Sequence, residues 1–210
     1  MQPVTAHRSL KEKQRQEREA LILQAAEEVL MENGYYEMSM DEIAMRVGIA
    51  KGTVYLHFPS KEDLVIAIFE RDMQKLLQDV ETTIASGLTA RAKMEAILQV
   101  IYGKIFSKRI PLFYSMHNSS ELRRLFLEKK GSMRDLWEQL AARISSLLEE
   151  GKTVGEFDAT LPTAVMLSAF FCLALSKNYE RLMAEGQMSA DELVKHLGHI
   201  YFKGIKGDHS

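Results

Sequence analysis

Apolar side chains recur at helical spacing through most of the chain. The first such run predicts a helix that ends at Asn33-Gly34, because this pair of residues favours termination of a helix. The apolar face of that helix consists of Ile22, Ala25, Ala26, Val29 and Leu30.

Three further helix starts follow within a short stretch. Ser39-x-x-Glu42 has the spacing of a capping box and predicts a helix that runs to about Val47. Residues 51–57 predict a second helix of barely two turns, which Phe58-Pro59 ends because proline disfavours helical geometry in the residue before it. Ser60-x-x-Asp63 predicts the cap of a longer helix towards residue 87.

The remainder of the chain predicts a larger helical bundle. Amphipathic or strongly apolar patterns cover residues 94–105, 133–147, 160–183 and 190–205. The low proline content and the abundance of Leu, Ala, Glu and Lys favour helices throughout. The predicted fold class is therefore all-α, with three small helices at the N-terminal end and a helical bundle after them.

Composition and charge exclude several classes of protein. The chain has 210 residues, a formal net charge of −2 and one cysteine, Cys172, which excludes an intrachain disulfide framework. Residues 1–18 carry five basic side chains against two acidic ones, so a basic, flexible arm is predicted. The N-terminus lacks the apolar core of a signal peptide, and the apolar run 161–175 is shorter than a bilayer span of about 20 residues. We expect a cytoplasmic protein without a membrane partner.

The predicted two-turn helix has an unusual outward face. If Val54 marks the centre of the buried side, a rotation of about 100° per residue places Gly52 and Leu56 on the opposite side. Thr53 and Tyr55 flank them. Helix-turn-helix proteins present such a surface to the major groove, where methyl groups contact thymine and hydroxyl groups reach phosphates. The alternative interpretation is a connector helix whose tyrosine belongs to the core.

The same region resembles the N-terminal domain of TetR/AcrR-type transcriptional regulators. The resemblance covers roughly residues 18–70 and follows an ungapped order of unusual residues. The matching segments are Gly34-Tyr35, Ser39 to Ala44, Gly48-Ile49, Lys51 to Tyr55, His57-Phe58 and Ser60 to Leu64. Ala50 departs from the family pattern, which often has Ser or Thr there as a helix cap.

The resemblance implies a homodimer that binds a double-stranded DNA operator and responds to a small molecule. It divides the chain into a basic arm (1–17), a helix-turn-helix domain (18–62) and a ligand-sensing and dimerisation domain (63–210). Repression is the commoner mode in this family. The residues implied to contact the operator are Ser39, Lys51, Gly52, Thr53, Tyr55, Leu56, His57 and Lys61.

The C-terminal part predicts an apolar ligand pocket and a dimer interface. Many aromatic and methionine side chains favour a lipophilic effector, although such residues also form ordinary cores. The predicted pocket residues are Tyr102, Phe106, Phe113, Tyr114, Trp137, Met166 and Phe170. The run 161–175 is apolar nearly all round, which favours a dimer interface completed by Val194, Leu197, Ile200 and Tyr201, with a monomer core as the alternative.

Two other classes of protein are alternatives to a DNA-binding regulator. A helical-bundle enzyme requires converging catalytic groups, and no nucleophile has a readable base partner, so no catalytic residue and no cofactor is predicted. A protein-interaction module would use Leu56 and Tyr55 as an apolar anchor. His196-x-x-His199 has a spacing that suits a metal, but no third ligand is evident, and no metal site is predicted.

Overall fold

The computed structural model describes residues 10–102, 124, 130–174 and 188–207. Within these residues the regular structure is helical, apart from one isolated bridge between Phe157 and Lys206. The predicted all-α class is therefore confirmed. The helices are α1 (Leu10–Glu37), α2 (Met40–Val47), α3 (Lys51–His57), α4 (Lys61–Ile84), α5 (Ala90–Val100), α6 (Lys130–Thr153), α7 (Thr163–Ala174) and α8 (Ala190–Gly204).

Helix α1 starts earlier than the sequence pattern indicated. Residues 10–17 form its first two turns, so the prediction of a flexible arm is wrong for this segment. Residues with high helix propensity fill these turns, and Arg15 pairs with Glu19 one turn later at 3.0 Å, which supports the helix. The predicted stop at Asn33-Gly34 is a break within α1 and not its end: Gly34 leaves helical geometry with φ 77°, a value that glycine tolerates, and helical structure resumes up to Glu37.

The caps of the small helices match the sequence. The hydroxyl of Ser39 accepts a hydrogen bond from the backbone N–H of Glu42 at 3.2 Å, and Ser60 does the same for Asp63 at 3.1 Å. Gly48 ends α2 in the left-handed region with φ 73°. At the start of α3, Ala50 makes no side-chain hydrogen bond, because a methyl group cannot accept one.

The described residues divide into two compact units. The first holds residues 10–70 and 124, and the second holds residues 71–102, 130–174 and 188–207. In the first unit, α2 packs against both α1 and α3. Its fully buried apolar side chains include Ile22, Ala26, Val29, Ile43, Val54, Leu64 and Ile68.

The core of the second unit draws on the C-terminal half of α4 and on α5 to α8. Val194, Leu197 and Tyr201 are at most 6% exposed in this core. Their prediction as dimer-interface residues is wrong, because α8 turns these side chains towards its own chain and the hydroxyl of Tyr201 donates to the carbonyl of Met166 at 2.8 Å. Ile200, by contrast, is 61% exposed.

Helix α7 has two apolar faces rather than one. Met166, Phe170 and Ala174 lie in the core of the second unit. On the other side Val165 is 59% exposed, and Ala169 and Cys172 are exposed with it at helical spacing. The all-round apolar pattern of this segment therefore reflects one face buried in the chain and a second face that the chain leaves uncovered.

Gly151 allows the turn after α6 to fold back onto that helix. A Cβ at this position would lie 2.1 Å from the ring of Phe157, which is 2% exposed. We expect Gly151→Ala to destabilise the protein by about 1–3 kcal/mol through overpacking. Gly204→Ala is the matched control, because a Cβ there meets no heavy atom within 4 Å.

Thermal and urea unfolding at fixed protein concentration measure both variants. We expect a lower unfolding midpoint than that of the wild type for Gly151→Ala and an unchanged or higher one for Gly204→Ala. Equal midpoints for the two variants would contradict this expectation.

Candidate nucleic-acid interface

Helix α3 is held by its buried side. It has seven residues, and a helix of this length is unstable in water without neighbours. Val54 is fully buried and Phe58, at the C-terminal cap, is 9% exposed, so both side chains anchor the helix in the first unit. The backbone N–H of Phe58 also donates to the carbonyl of Val54 at 2.9 Å. Packing, rather than intrinsic propensity, therefore sets the position of α3.

The opposite face of α3 is open. Leu56 is 82% exposed and Tyr55 is 44% exposed. Gly52 is exposed, and a Cβ there would meet no heavy atom within 4 Å, while Thr53 is half-buried. An apolar side chain, an aromatic hydroxyl and a bare stretch of backbone thus face outwards from one short helix. We call Gly52, Thr53, Tyr55 and Leu56 the reading face.

Lys51 starts α3 and forms an ion pair with α2. Its Nζ lies 2.6 Å from Oδ2 of Asp41, and both side chains are at least half exposed. The hydrogen bond to Asp41 raises the pKa of Lys51 above its ordinary value, so the lysine is a cation at neutral pH. Sequence reasoning identified Lys51 but missed Asp41, which lies ten residues earlier in the chain.

Lys61, at the start of α4, is held against α1. Its Nζ lies 4.5 Å from the ring centroid of Tyr35 and 3.4 Å from the backbone carbonyl oxygen of the same residue. The hydroxyl of Tyr35 in turn donates to Glu62 at 2.5 Å. Ser39 is exposed at the start of α2, where its hydroxyl caps the helix.

His57 differs from the other candidate contact residues. Its side chain is only 9% exposed, and its Nδ1 lies 3.1 Å from Oε1 of Glu19 in α1. Burial opposes ionisation of Glu19, but hydrogen bonds from His57 and Arg15 outweigh it and lower the pKa of Glu19 below its ordinary value. In this structure His57 therefore links the C-terminal end of α3 to α1. The sequence could not show this link, because the partners are 38 residues apart.

A second link joins α1 to α2. The guanidinium of Arg46 donates to Glu32 at 2.9 and 2.5 Å and to Glu42 at 2.8 Å. The hydrogen bonds that Arg46 donates to both carboxylates raise its pKa above the ordinary value. This bidentate arrangement fixes α2 against α1 and was not predicted.

The predicted pocket residues lie partly within the core of the second unit. Tyr102, Met166 and Phe170 are at most 2% exposed, and Trp137 is half-buried, with its ring edge-on to Phe171 at 5.8 Å. The hydroxyl of Tyr102 donates to the carbonyl of Leu173 at 3.2 Å. The other three predicted residues, Phe106, Phe113 and Tyr114, lie outside the described residues.

The paired histidines of α8 are exposed on a groove. His196 and His199 line it together with Arg91 and Glu95 of α5 and Asp191 of α8. In the part of the chain that the structure describes, no group of three metal-ligating side chains has a geometry that would hold an ion. Among the same residues, no helix has the length and apolarity that crossing a bilayer requires.

Comparisons with known proteins agree with this geometry. Residues 22–68 match the model of the bacterial regulatory proteins of the tetR family. These residues run from the core face of α1 through α2 and α3 into α4. A solved TetR/AcrR-family transcriptional regulator from Thermobifida fusca superimposes with a TM-score of 0.74 and 26% sequence identity, over 90% of this chain and 98% of that one. Residues 22–68 therefore form a helix-turn-helix domain of the tetR family.

With this domain, the chain is a helix-turn-helix transcriptional regulator and not an enzyme. The fatty acid metabolism regulator protein of Bacillus subtilis is 29% identical over 76% of this chain and 80% of its own length. The transcriptional activator FasR of Mycolicibacterium smegmatis is 34% identical over 42% of this chain and 40% of its own length. FadR from B. subtilis, solved in complex with stearoyl-CoA, has a TM-score of 0.66 and 22% identity over 89% of this chain and 98% of that one.

Tyr55 provides a direct test of the reading face. Its side chain is 44% exposed, so Tyr55→Ala is expected to leave the unfolding midpoint nearly unchanged. We expect affinity for a duplex selected by the wild-type protein from a random pool to fall at least about tenfold, because one contact is lost. Fluorescence anisotropy with the labelled duplex measures the affinity.

Tyr36→Ala is the matched control for this substitution. Tyr36 is a 63% exposed tyrosine of the same unit, but it lies at the end of α1 rather than on α3. The control is expected to bind the selected duplex as the wild type does. Equal loss in both variants, or unfolding of the Tyr55 variant, would contradict the assignment of the reading face.

Proposed function

We propose that this TetR/AcrR regulator is a cytoplasmic repressor that binds a pseudo-palindromic operator as a homodimer and leaves it when a fatty acyl thioester binds the second unit. The observation that supports DNA reading is the outward face of α3, with Leu56 82% exposed beside Tyr55 and Gly52. One such helix contacts few bases, so two copies on a two-fold axis are needed for specificity. A dimer on an operator excludes other proteins from that DNA, and repression needs no further surface.

The contact residues proposed for the operator are those of the reading face together with Ser39, Lys51, His57 and Lys61. Gly52 lets the backbone approach the base edges, and Leu56 and Thr53 offer methyl groups to thymine. Lys51, Lys61 and the hydroxyls of Ser39 and Tyr55 contact phosphates. His57 serves in part as a positioning residue, since it already bonds Glu19.

The uncovered face of α7 supports the proposed dimer. Val165, Ala169 and Cys172 form an exposed apolar line on this helix, and Ile200 is exposed on α8. Burying such a line against its symmetry copy gives a four-helix interface of small and apolar side chains. The dimer proposed here uses these exposed positions instead of Val194, Leu197 and Tyr201.

Val165→Glu tests this interface. A charge buried at the interface without a partner is strongly unfavourable, so we expect the variant to be monomeric at concentrations where the wild type is dimeric. Val154→Glu is the matched control, because Val154 is 63% exposed in the turn after α6 and lies outside the proposed interface. Sedimentation equilibrium measures both masses, and a dimeric Val165→Glu protein would contradict the α7 interface.

Half-buried apolar side chains support the effector site. They lie at the edge of the second unit's core, where α5 ends, α6 begins and α7 ends. They are Val100, Leu136, Trp137, Leu167, Phe171 and Leu173. With Tyr102, Met166 and Phe170 beneath them, they form an apolar site suited to an acyl chain. The relative from B. subtilis that regulates fatty acid metabolism, and the FadR structure with stearoyl-CoA, support the choice of acyl thioesters.

Helix α4 offers the mechanical link between effector and DNA. Its C-terminal half contributes Met73, Leu76, Leu77 and Val80 to the same core that holds Tyr102, Met166 and Phe170. Its N-terminal half buries Leu64 and Ile68 in the first unit and begins at Lys61. A ligand that favours a shifted α4 lowers the affinity for DNA, and DNA lowers the affinity for the ligand by the same factor.

The single tryptophan allows binding and release to be measured separately. Trp137 lies in the proposed acyl site, so oleoyl-CoA is expected to change its fluorescence at the same concentrations that release the selected duplex. Free coenzyme A and acetyl-CoA, which lack a long chain, are expected to do neither. Trp137→Phe should lose the signal and retain oleoyl-CoA-dependent release.

Equal effects of acetyl-CoA and oleoyl-CoA would contradict an acyl-chain site. A fluorescence change without release of DNA would contradict the proposed coupling.

A further inference from the structure

Asp41 places a negative charge beside the surface that faces DNA. It lies in the first turn of α2, and its carboxylate reaches Lys51 in the first turn of α3 at 2.6 Å. The side chain of Asp41 is 67% exposed and that of Lys51 is 50% exposed. The pair therefore stands open to solvent at the edge of the reading face.

Glu42, the acidic residue next to Asp41, has a different role. Glu42 accepts a hydrogen bond from Arg46 within α2 and another from Asn33 of α1, and the second bond joins the two helices. Glu42 thus has a role within the fold of the first unit. Asp41 instead pairs with a residue of α3 that is proposed to touch DNA.

The Asp41–Lys51 pair has consequences for binding to DNA of any sequence. A lysine gains affinity for DNA by replacing counterions at a phosphate, and this gain is the same for every sequence. A lysine that is already neutralised by a carboxylate gains less, and the carboxylate itself repels the phosphate backbone. A base edge is different, because an aspartate oxygen accepts a hydrogen bond from the cytosine amino group in the major groove.

We propose that Asp41 is a specificity-determining residue, which competes with phosphate for Lys51 and so weakens binding to non-operator DNA. This inference rests on the proposed placement of α3 against DNA. On the operator, the carboxylate is compensated by a base donor and Lys51 contacts the backbone. On other sequences no donor stands opposite Asp41, and Lys51 stays paired with it.

Asp41→Asn tests the competition directly. The amide leaves Lys51 without an ionic partner, so the variant gains about one phosphate contact on a mixed-sequence 30-base-pair duplex. The slope of log affinity against log salt is expected to steepen by about 0.9, and affinity at 0.1 M NaCl to rise roughly fivefold to tenfold. Affinity for the duplex selected by the wild-type protein should not rise. The ratio of that affinity to the affinity for the mixed-sequence duplex therefore falls about fivefold or more.

Glu28→Gln is the matched control. It removes the same charge from the same unit, but Glu28 lies exposed on α1, where it accepts a hydrogen bond from Gln24. The control is expected to keep the wild-type ratio of affinities. If both variants gain equally on the two duplexes, only net charge matters and the proposal is overturned.

The Lys51→Gln variant distinguishes failure of this inference from failure of the proposed DNA interface. In the Lys51→Gln background, Asp41→Asn should no longer change the salt slope, because the cation that it frees is absent. If Lys51→Gln weakens DNA binding but Asp41→Asn leaves the affinities for both duplexes unchanged, this inference fails and the proposed DNA interface stands. If Lys51→Gln leaves all DNA binding unchanged, the proposed interface itself fails and this inference with it.

Discussion

The anchoring of α3 by Val54 and Phe58 is the interaction on which the DNA-binding surface depends. Seven residues cannot sustain a helix alone, and Ala50 provides no side-chain cap. Because the apolar anchors occupy the inner face, the outer face is free to carry Gly52, Tyr55 and Leu56 without cost to the fold. The side that stabilises the fold and the side proposed to contact DNA are thus opposite sides of one short helix.

Polar links then fix the direction in which α3 points. His57 bonds Glu19 at its C-terminal end, Lys51 bonds Asp41 at its N-terminal end, and Arg46 ties α2 to α1. Exposed ion pairs contribute little to the free energy of unfolding, but together they restrict how the helices rotate. The first unit is held by its apolar core and oriented by charges that connect residues distant in sequence. The role proposed for the exposed Asp41 is accordingly in recognition and not in stability.

Much of this architecture follows from local patterns. Ser39, Gly48 and Ser60 begin or end helices in the structure as their sequence context predicts, and Gly34 interrupts α1, because these features depend on neighbours a few residues away. The outward positions of Gly52 and Leu56 follow from helical periodicity once Val54 is buried. Residues 10–17 were mispredicted because a charged sequence without an apolar face suits both a helix and a disordered arm.

Contacts between residues that are distant in the sequence could not be predicted from local patterns. The apolar spacing of Val194, Leu197 and Tyr201 is correct for a buried stripe, but periodicity cannot state whether a stripe is covered by its own chain or by another. For the same reason, the sequence pattern could not show that one apolar face of α7 is buried in its own chain and the other is exposed. The pairing of His57 with Glu19 likewise requires the fold, since it joins residues of two separate helices.

Two copies of the outward face of α3 are proposed to lie in successive major grooves. A hydroxyl-radical footprint on the DNA upstream of the protein's own gene measures this most directly. We expect two protected half-sites related by two-fold symmetry, with centres separated by about one helical turn of 10–10.5 base pairs or a multiple of it. A single asymmetric protected site, or protection whose spacing bears no relation to the helical repeat, would contradict this placement of α3.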